Sequence, residues 1–419
     1  MESVKYEDLF DKRIAEVAEE VDEEIEEESF EEDLNFNLDK FNQAVIWSTD
    51  WTTETIFNQL KKGNIDLAPN FQRRDAWNDK DKSKLIESLM LGLPVPPIIL
   101  AENKNKRNSY IVIDGKQRLL SIRRFYIPKI TNKDEDEYGF KVLKLTGLEI
   151  LKNFNGCKYD DEKNNFQELV NSLDNQPIRT IVIKNWPDES FLYTVFLRLN
   201  TTSKKLSSQE LRQSLKPGLF LSYLDTATAD SKVIQRMLNN SSPDKRMRDV
   251  ELALRFFAFR YFIKDYSGNL KLFLDATCDR LNKSWEKNHI QYENDFSDLE
   301  KSIVFSFKVI DQKHPFSRLD RSRSGNRFNR IIFELFTYYF SNSEIRKLIQ
   351  NNKKVFLVAW NNLNNDQDFI SATSDTTKKV SSVVRRFSMF ADVLKKLPNA
   401  NHVRILQFKE SDKGRIDIQ

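Results

Sequence analysis

One short segment combines residue types that bind phosphate with types that handle water or a metal. Residues 114–118 read DGKQR, and they lie between the β-branched run IVI and an apolar pattern typical of a helix. A strand that turns through Asp-Gly into a helix points backbone N–H groups and the positive end of the helix dipole at the space over the turn. This geometry favours an anion site, and Lys116 and Arg118 add formal charge to it.

The other three residues of the segment extend this chemistry. Asp114 can hold Mg²⁺, orient a water or bond a ribose hydroxyl, and Gln117 can position an attacking water without titrating. Gly115 supplies backbone at the turn itself, where a nucleotide would lie. The alternative is a plain strand-to-helix turn in which Asp114 caps the helix.

Two further clusters could reach the same pocket. In residues 69–77, PNFQRRDAW, Arg73 can contact phosphate and Gln72 a base or a ribose, although surface salt bridges explain the arginines equally well. In residues 196–212, Asn200 precedes a Thr/Ser-rich turn. Ser207 with Glu210 has the spacing of a capping box, which is a structural role.

The elements that would position these residues fall into two halves. Short strands at 98–100, 110–113 and 178–183 alternate with helices at 52–62, 79–91, 119–125 and 188–199, which predicts an α/β domain over 41–205. Residues 206–419 predict an all-α domain because strand signals nearly vanish there. Its predicted helices cover 207–215, 244–263, 270–285, 296–310, 327–340 and 376–397. The fold class predicted is therefore α+β.

Charge is distributed unevenly along the chain. Residues 1–40 hold 17 acidic and 4 basic side chains, so they predict a disordered acidic tail and leave about +16 on the rest. A body this basic favours nucleic acid or nucleotides as partners. The two cysteines form no CxxC pair, no export signal is visible, and no apolar run is long enough for a membrane span. These features predict a cytoplasmic protein that contacts no membrane.

Five arginines in the second half strengthen the expectation of DNA binding. Such density suits phosphate backbones, while a solvated basic loop remains the alternative. The five are Arg318, Arg321, Arg323, Arg327 and Arg330. The chain's three histidines include only one beside a proline, His314, and no partner follows it at the spacing of an HNH nuclease. A metal-dependent nuclease needs ligands and a base that converge, so this chain is not expected to cut DNA by that mechanism.

The three clusters in this order resemble the GmrSD-type restriction endonuclease N-terminal domain family, whose members have a ParB/sulfiredoxin-like fold. The resemblance rests on NFQRRDAWNDKDKSKLIESLMLGLPVPPIIL, YIVIDGKQRLLSI and FLRLNTTSKKLSSQELR, and it runs from about Asp66 to Arg212. The family's commonest signature has Gln where this chain has Lys116, and often Gly-Gly where Thr202 and Ser203 stand. The chain resembles a stand-alone member without the HNH-type nuclease domain.

The resemblance implies nucleoside triphosphate binding and hydrolysis coupled to defence against foreign DNA. Asp114 and Gln117 would be catalytic, with Mg²⁺ at Asp114, and the nucleotide would contact Gln72, Arg73, Gly115, Lys116, Arg118 and Asn200. Lys116 in place of Gln leaves the rate of hydrolysis open. The alternative is a non-catalytic, nucleotide-switched DNA-binding or adaptor subunit for a separately encoded nuclease or methyltransferase.

Overall fold

The computed structural model describes residues 43–65, 67, 77–104, 106–131, 133–136, 140–163, 165–199, 207–310, 315–317, 328–374, 378–411 and 414–418. These residues form two compact units. The N-terminal unit comprises residues 43–215 together with Lys245–Met247, and the helical unit comprises Lys216–Asp244 and residues 248–418. The boundary therefore falls ten residues beyond the one predicted, after a helix that the sequence pattern grouped with the second half.

A four-stranded sheet organises the N-terminal unit. Its strands are β1 (Val45–Thr52), β2 (Ile98–Glu102), β3 (Tyr110–Asp114) and β4 (Pro177–Lys184), in the spatial order β1-β4-β2-β3. β4 pairs parallel with β2 and antiparallel with β1, while β3 pairs antiparallel with β2. β3 is thus an edge strand, and its carboxyl end is the site of the DGKQR turn.

Helices cover both faces of this sheet because successive strand residues point to opposite sides. Ile98 and Leu100 of β2 pack in one core and Ile99 and Ala101 in another. The first core also holds buried residues of α1 (Thr53–Lys61), α2 (Asp79–Met90), α3 (Lys116–Tyr126) and α4 (Phe166–Asn175). The second holds residues of α5 (Glu189–Leu199) and α6 (Ser208–Leu215). The unit is therefore a three-layer arrangement, with α3 and α6 in different layers.

The helical unit is built around aromatic residues of several helices. Phe257, Phe336 and Phe390 are each almost fully buried. The elements are α7 (Leu219–Asp230), α8 (Lys232–Met237), α9 (Arg248–Phe262), α10 (Leu270–Val309), α11 (Arg330–Phe340), α12 (Ser343–Asn351), α13 (Lys353–Asn364), α14 (Gln367–Ser374), α15 (Val380–Lys395), β5 (Phe408–Glu410) and β6 (Ile416–Ile418).

The mixed α+β class with a largely helical second half is confirmed. The second half is not purely helical, because β5 and β6 pair in an antiparallel hairpin of three residues a side. The helices predicted at 270–285 and 296–310 are one 40-residue helix, α10. Residues 286–295 between them are mostly polar and bury only Tyr292 and Asp295, so the apolar pattern is interrupted there without a helix breaker.

Two elements of the N-terminal unit were not predicted from the sequence. They are β1 and α4. β1 gave no signal because its first four residues are exposed on both faces, so apolar and polar residues do not alternate along it. Within the described ranges, no helix is both long enough and apolar enough to cross a membrane.

Candidate functional site

The DGKQR segment forms the strand–turn–helix that the sequence predicts. β3 ends at Asp114, Gly115 adopts a left-handed conformation with φ of 99°, and α3 begins at Lys116. A Cβ on Gly115 would lie 3.2 Å from Cγ1 and 3.3 Å from Cα of Ile98, so both the conformation and the space require glycine. The cap of α3 is Gly115, which offers no side-chain hydrogen bond, so Asp114 does not cap this helix.

Asp114 instead pairs with the arginine one turn along the helix. Arg118 Nη2 donates to Asp114 Oδ2 at 2.7 Å and to the carbonyl of Pro97 at 3.0 Å. Arg118 Nε is buried without a hydrogen-bond partner in the described part of the chain. The Asp114 side chain keeps about a third of its surface exposed. The carboxylate therefore remains accessible, while the guanidinium lies behind it with hydrogen-bonding capacity unused.

Lys116 points into the protein rather than out over the turn. Its Nζ lies 3.0 Å from Glu210 Oε1, and both side chains are more than nine-tenths buried. The other oxygen of Glu210 accepts from the Ser207 N–H at 2.7 Å, and Ser207 Oγ accepts from the Glu210 N–H at 3.1 Å. These two bonds are a capping box at the start of α6, as predicted. Glu210 thus serves the capping box and the turn together.

Gln117 contacts the second cluster. Its Oε1 accepts the backbone N–H of Trp77 at 3.3 Å, and the Trp77 carbonyl accepts from Lys82 Nζ. Asn78 then caps α2 by accepting the Asp81 N–H at 2.8 Å. Neighbouring residues of the turn therefore contact the ends of both other motifs. All three motifs meet at the carboxyl end of β3.

The remaining predicted residues differ in what the structure says of them. Arg330 is the first residue of α11 and only 9% exposed, and this burial disfavours the DNA-backbone contact proposed for it. The nucleotide-contact candidates Gln72, Arg73 and Asn200 lie outside the described residues, as do Arg318, Arg321, Arg323 and Arg327 of the arginine cluster. Those predictions stay predictions.

Two contacts of the site were not foreseen. The sequence assigned Glu210 only to the capping box. Its place in one of the three motifs that resemble the family could have suggested that it also contacts the turn of residues 114–118, where Lys116 is its partner. The Pro97 carbonyl that receives Arg118 follows the proline-rich end of the helix before β2, and nothing in the sequence pattern marks it as a ligand. Both contacts join residues more than 20 positions apart, a distance over which local patterns carry no information.

A magnesium ion at Asp114 would need ligands from outside this part of the protein. No group of three or more His, Cys, Asp and Glu side chains in the described ranges is arranged to hold a metal. Mg²⁺ usually takes one or two carboxylates and completes its octahedron with water and substrate phosphate. The exposed carboxylate of Asp114 fits that pattern as a single protein ligand, and it does not fit a metal held by protein alone.

A polar cavity of about 430 Å³ lies farther along α3. Its walls include Lys61, Lys133 and Arg123, and Arg123 forms a buried pair with Asp136 at 2.7 Å. Of the residues predicted for nucleotide contact, the three that the structure describes, Gly115, Lys116 and Arg118, do not line this cavity. It is therefore distinct from the turn.

Comparison with known proteins supports the reading of the N-terminal unit. Residues 53–215 match the family described as GmrSD restriction endonuclease, N-terminal domain. No curated protein and no solved structure gave a significant match. The matched range begins with α1 and ends with α6, so it contains the sheet strands β2 to β4 and every contact of the turn described above. Residues 53–215 are therefore similar to the GmrSD restriction endonuclease N-terminal domain, and this domain implies a component of a restriction and defence system.

Proposed function

We propose that the N-terminal unit binds a nucleoside triphosphate with Mg²⁺ at the turn of residues 114–118 and hydrolyses it in DNA restriction or antiviral defence. The observation that carries this proposal is the meeting of three sequence motifs at one glycine-shaped strand–turn–helix. A plain structural turn would need only Gly115. It would not need neighbouring side chains that bind the ends of two distant motifs in different helical layers.

The binding step follows from the Asp114–Arg118 pair. Phosphate oxygens over the turn would meet the N-terminus of α3, where backbone N–H groups and the helix dipole favour negative charge. Asp114 would contribute a ligand to Mg²⁺, which offsets phosphate charge when bound. The guanidinium of Arg118, released from Asp114, could then donate to phosphate as a charge-assisted bond.

The hydrolytic step is assigned to Gln117. Its carbonyl oxygen accepts from the Trp77 N–H, which fixes the orientation of the amide, and an amide oxygen can accept two hydrogen bonds. A water bonded there would be oriented for attack without any change in the protonation of the side chain. Attack of that water on the γ-phosphorus would break the bond to the bridging oxygen, so that the nucleoside diphosphate leaves and the water's proton passes to a phosphate oxygen. Asp114 would hold the Mg²⁺ that offsets the phosphate charge.

Calorimetry and a phosphate-release assay test the two steps separately. Each of the four ribonucleoside triphosphates is titrated with Mg²⁺ into the full chain, and Arg118→Ala is expected to weaken binding by about 1.5–3 kcal/mol. Asp114→Ala and Gln117→Ala are expected to abolish or strongly reduce turnover. Asp160→Ala, which alters an exposed carboxylate paired only loosely with Lys158, is the matched control. No binding of any triphosphate to the wild type contradicts the proposal.

A second function is favoured by one specific observation. Both cations of the turn already form ion pairs: Arg118 pairs with Asp114, and Lys116 pairs with Glu210. The turn therefore carries little net charge before a ligand arrives. This arrangement suits a nucleotide switch that binds without turnover and acts on a separately encoded nuclease or methyltransferase. Binding at saturating nucleotide without phosphate release would select this function, and co-purification with such an enzyme would identify the partner.

DNA binding is proposed for the chain on the basis of its charge. The residues after position 40 carry about +16, so affinity for duplex DNA should fall steeply as salt rises. Charge reversal at Arg321 and Arg323 should weaken binding to all sequences alike, because backbone contacts carry no base information. Deleting residues 1–40 should tighten binding if that acidic segment competes with DNA. Gel shifts at two salt concentrations measure these effects, and salt-independent binding would contradict the proposal.

A further inference from the structure

The pair of Lys116 and Glu210 joins two helical layers that the sheet otherwise separates. Lys116 is the first residue of α3, whose core lies on one face, and Glu210 lies in α6, whose core lies on the other. Their contact passes around the end of β3, which is the edge strand. A buried ion pair in this place is a specific connection between the turn and α6, because neither layer needs it to complete its apolar core.

The connection continues from Glu210 toward the helical unit. Glu210 and Ser207 hold each other through the two bonds of the capping box, and Ser207 Oγ donates to the carbonyl of Arg246 at 2.6 Å. Arg246 lies in the three-residue segment Lys245–Met247, which belongs to the N-terminal unit and leads directly into α9 of the helical unit. A series of contacts therefore runs from the turn of residues 114–118 to Arg246, which lies two residues before α9 in the chain.

We propose that Lys116 and Glu210 form a ligand-operated relay, in which phosphate at the turn draws Lys116 away from Glu210 and loosens the contacts of Ser207 with Arg246. The inference rests on the proposed nucleotide binding and adds its regulation. The physical reason is that a buried carboxylate whose cation leaves must find another partner or reach water. Glu210 is the positioning residue, since it acts on the ligand only through Lys116.

The residue type at position 116 supports a charge-operated relay. Lysine carries a full charge on a flexible stem and can exchange one anionic partner for another. A glutamine amide at this position could hydrogen-bond the carboxylate without being drawn off by phosphate charge, so the relay depends on the lysine.

Hydrogen exchange of the full-length protein tests the relay. Mg²⁺ with each ribonucleoside triphosphate is the probe, and exchange is followed at the amides of Ser207 and Glu210 and in the segment from 245 to 249. Ligand is expected to increase exchange at these amides in the wild type. In Lys116→Gln, the ligand should leave exchange there unchanged at concentrations that saturate the site.

Binding affinity supplies an independent readout. Glu210→Gln removes the carboxylate that competes for Lys116, so triphosphate binding should tighten severalfold. If Glu210 had only a structural role, Glu210→Gln would leave the affinity for triphosphate unchanged or would weaken it. Glu87→Gln is the matched control because Glu87 is another buried carboxylate of this unit, which accepts the backbone N–H groups of residues 149–151 and contacts no residue of the turn.

The outcomes separate this inference from the proposed function. If no triphosphate binds the wild type, the proposed function fails, and the relay fails with it. If a triphosphate binds but exchange at Ser207 and Glu210 does not change, only the relay is overturned. If Glu210→Gln proves too unstable to assay, the exchange comparison between wild type and Lys116→Gln still decides, since it leaves Glu210 in place.

Discussion

Each unit of the protein buries a network of opposite charges, and the two networks differ in what surrounds them. In the N-terminal unit, Lys116 and Glu210 lie beside a glycine turn whose carboxylate is accessible. In the helical unit, Arg255 pairs with Glu334 at 2.7 Å, and the other oxygen of Glu334 lies 3.2 Å from Arg386. These three side chains are almost completely buried, on α9, α11 and α15.

The difference shows that buried charge alone does not mark a functional site. In the helical unit, Glu251 also contacts Arg255 at 2.9 Å, so two arginines and two glutamates balance one another inside the core. Such a network fixes how core helices align, because each charge has one arrangement that satisfies it. The N-terminal pair lies beside a turn whose Asp114 carboxylate is about a third exposed, and this access from solvent is what makes it a candidate site.

Breaking the helical network should have the largest effect. Glu334→Ala would leave two buried arginines without their shared partner, and we expect a loss of about 3–5 kcal/mol in the free energy of unfolding. Denaturant unfolding followed by circular dichroism measures it. The matched control is Asp368→Ala, which removes an exposed partner of Arg385 and should cost at most about 1 kcal/mol. Equal losses in the two variants would mean that the buried network is not structural.

Adding a single methyl group to the turn of residues 114–118 should lower the free energy of unfolding, although by less than Glu334→Ala. Gly115→Ala adds the left-handed penalty of about 1–2 kcal/mol and also forces a Cβ against Ile98. Gly63→Ala carries the same kind of penalty, with φ of 65°, but meets no atom within 4 Å. We expect Gly115→Ala to be the more destabilising of the two and to weaken triphosphate binding, whereas Gly63→Ala should leave binding unchanged. Thermal unfolding and calorimetry test this, and indistinguishable variants would remove the steric argument for Gly115.

The sequence predicted the fold best where one face of an element is buried. α2 and β4 have clear periodic patterns and were predicted within about one residue, because burial on one side fixes the spacing of apolar residues. β1 and the middle of α10 lack such patterns, because β1 is largely exposed and residues 286–295 of α10 bury only Tyr292 and Asp295. The hairpin of β5 and β6 is too short to show one.

The site was predicted as a segment but not as a set of contacts. Residues 114–118 were identified because a strand, a glycine and two cations stand in one short run. The partner of Lys116 lies 94 positions away, and that of Gln117 lies 40 positions away, so only the folded chain brings them together. For the same reason, the sequence predicted only a phosphate contact for Lys116, whereas the structure pairs its side chain with the carboxylate of Glu210.

A helix cap offers a finer comparison of the two units. Ser207→Ala removes the cap of α6, worth about 1 kcal/mol, together with the bond to the Arg246 carbonyl. Asn342→Ala removes the cap of α12 in the helical unit, where the side chain accepts from the Glu344 N–H. Both should lower the free energy of unfolding by similar amounts. Only Ser207→Ala should also raise hydrogen exchange in the segment from 245 to 249, and the same rise in both variants would contradict the assignment of that contact to Ser207.

The smallest effect concerns two tyrosines, one in each unit. Burial and a hydrogen bond to the Asp174 carboxylate raise the pKa of Tyr159 to about 12, while burial raises the pKa of Tyr338 to about 12 against an opposing charge on Arg260. Because both values lie above those of the unfolded chain, the associated stability is complete below about pH 10 and is lost as pH rises toward 12.

Asp174→Asn separates the two causes. It should move the pKa of Tyr159 back toward 10 and leave that of Tyr338 near 12, because no carboxylate accepts from Tyr338 among the described residues. Difference absorbance of tyrosinate, recorded after rapid pH jumps on variants with Tyr159→Phe or Tyr338→Phe, assigns each transition. A Tyr159 transition that stays near 12 in Asp174→Asn would mean that burial alone sets it, and the two units would then perturb their tyrosines in the same way.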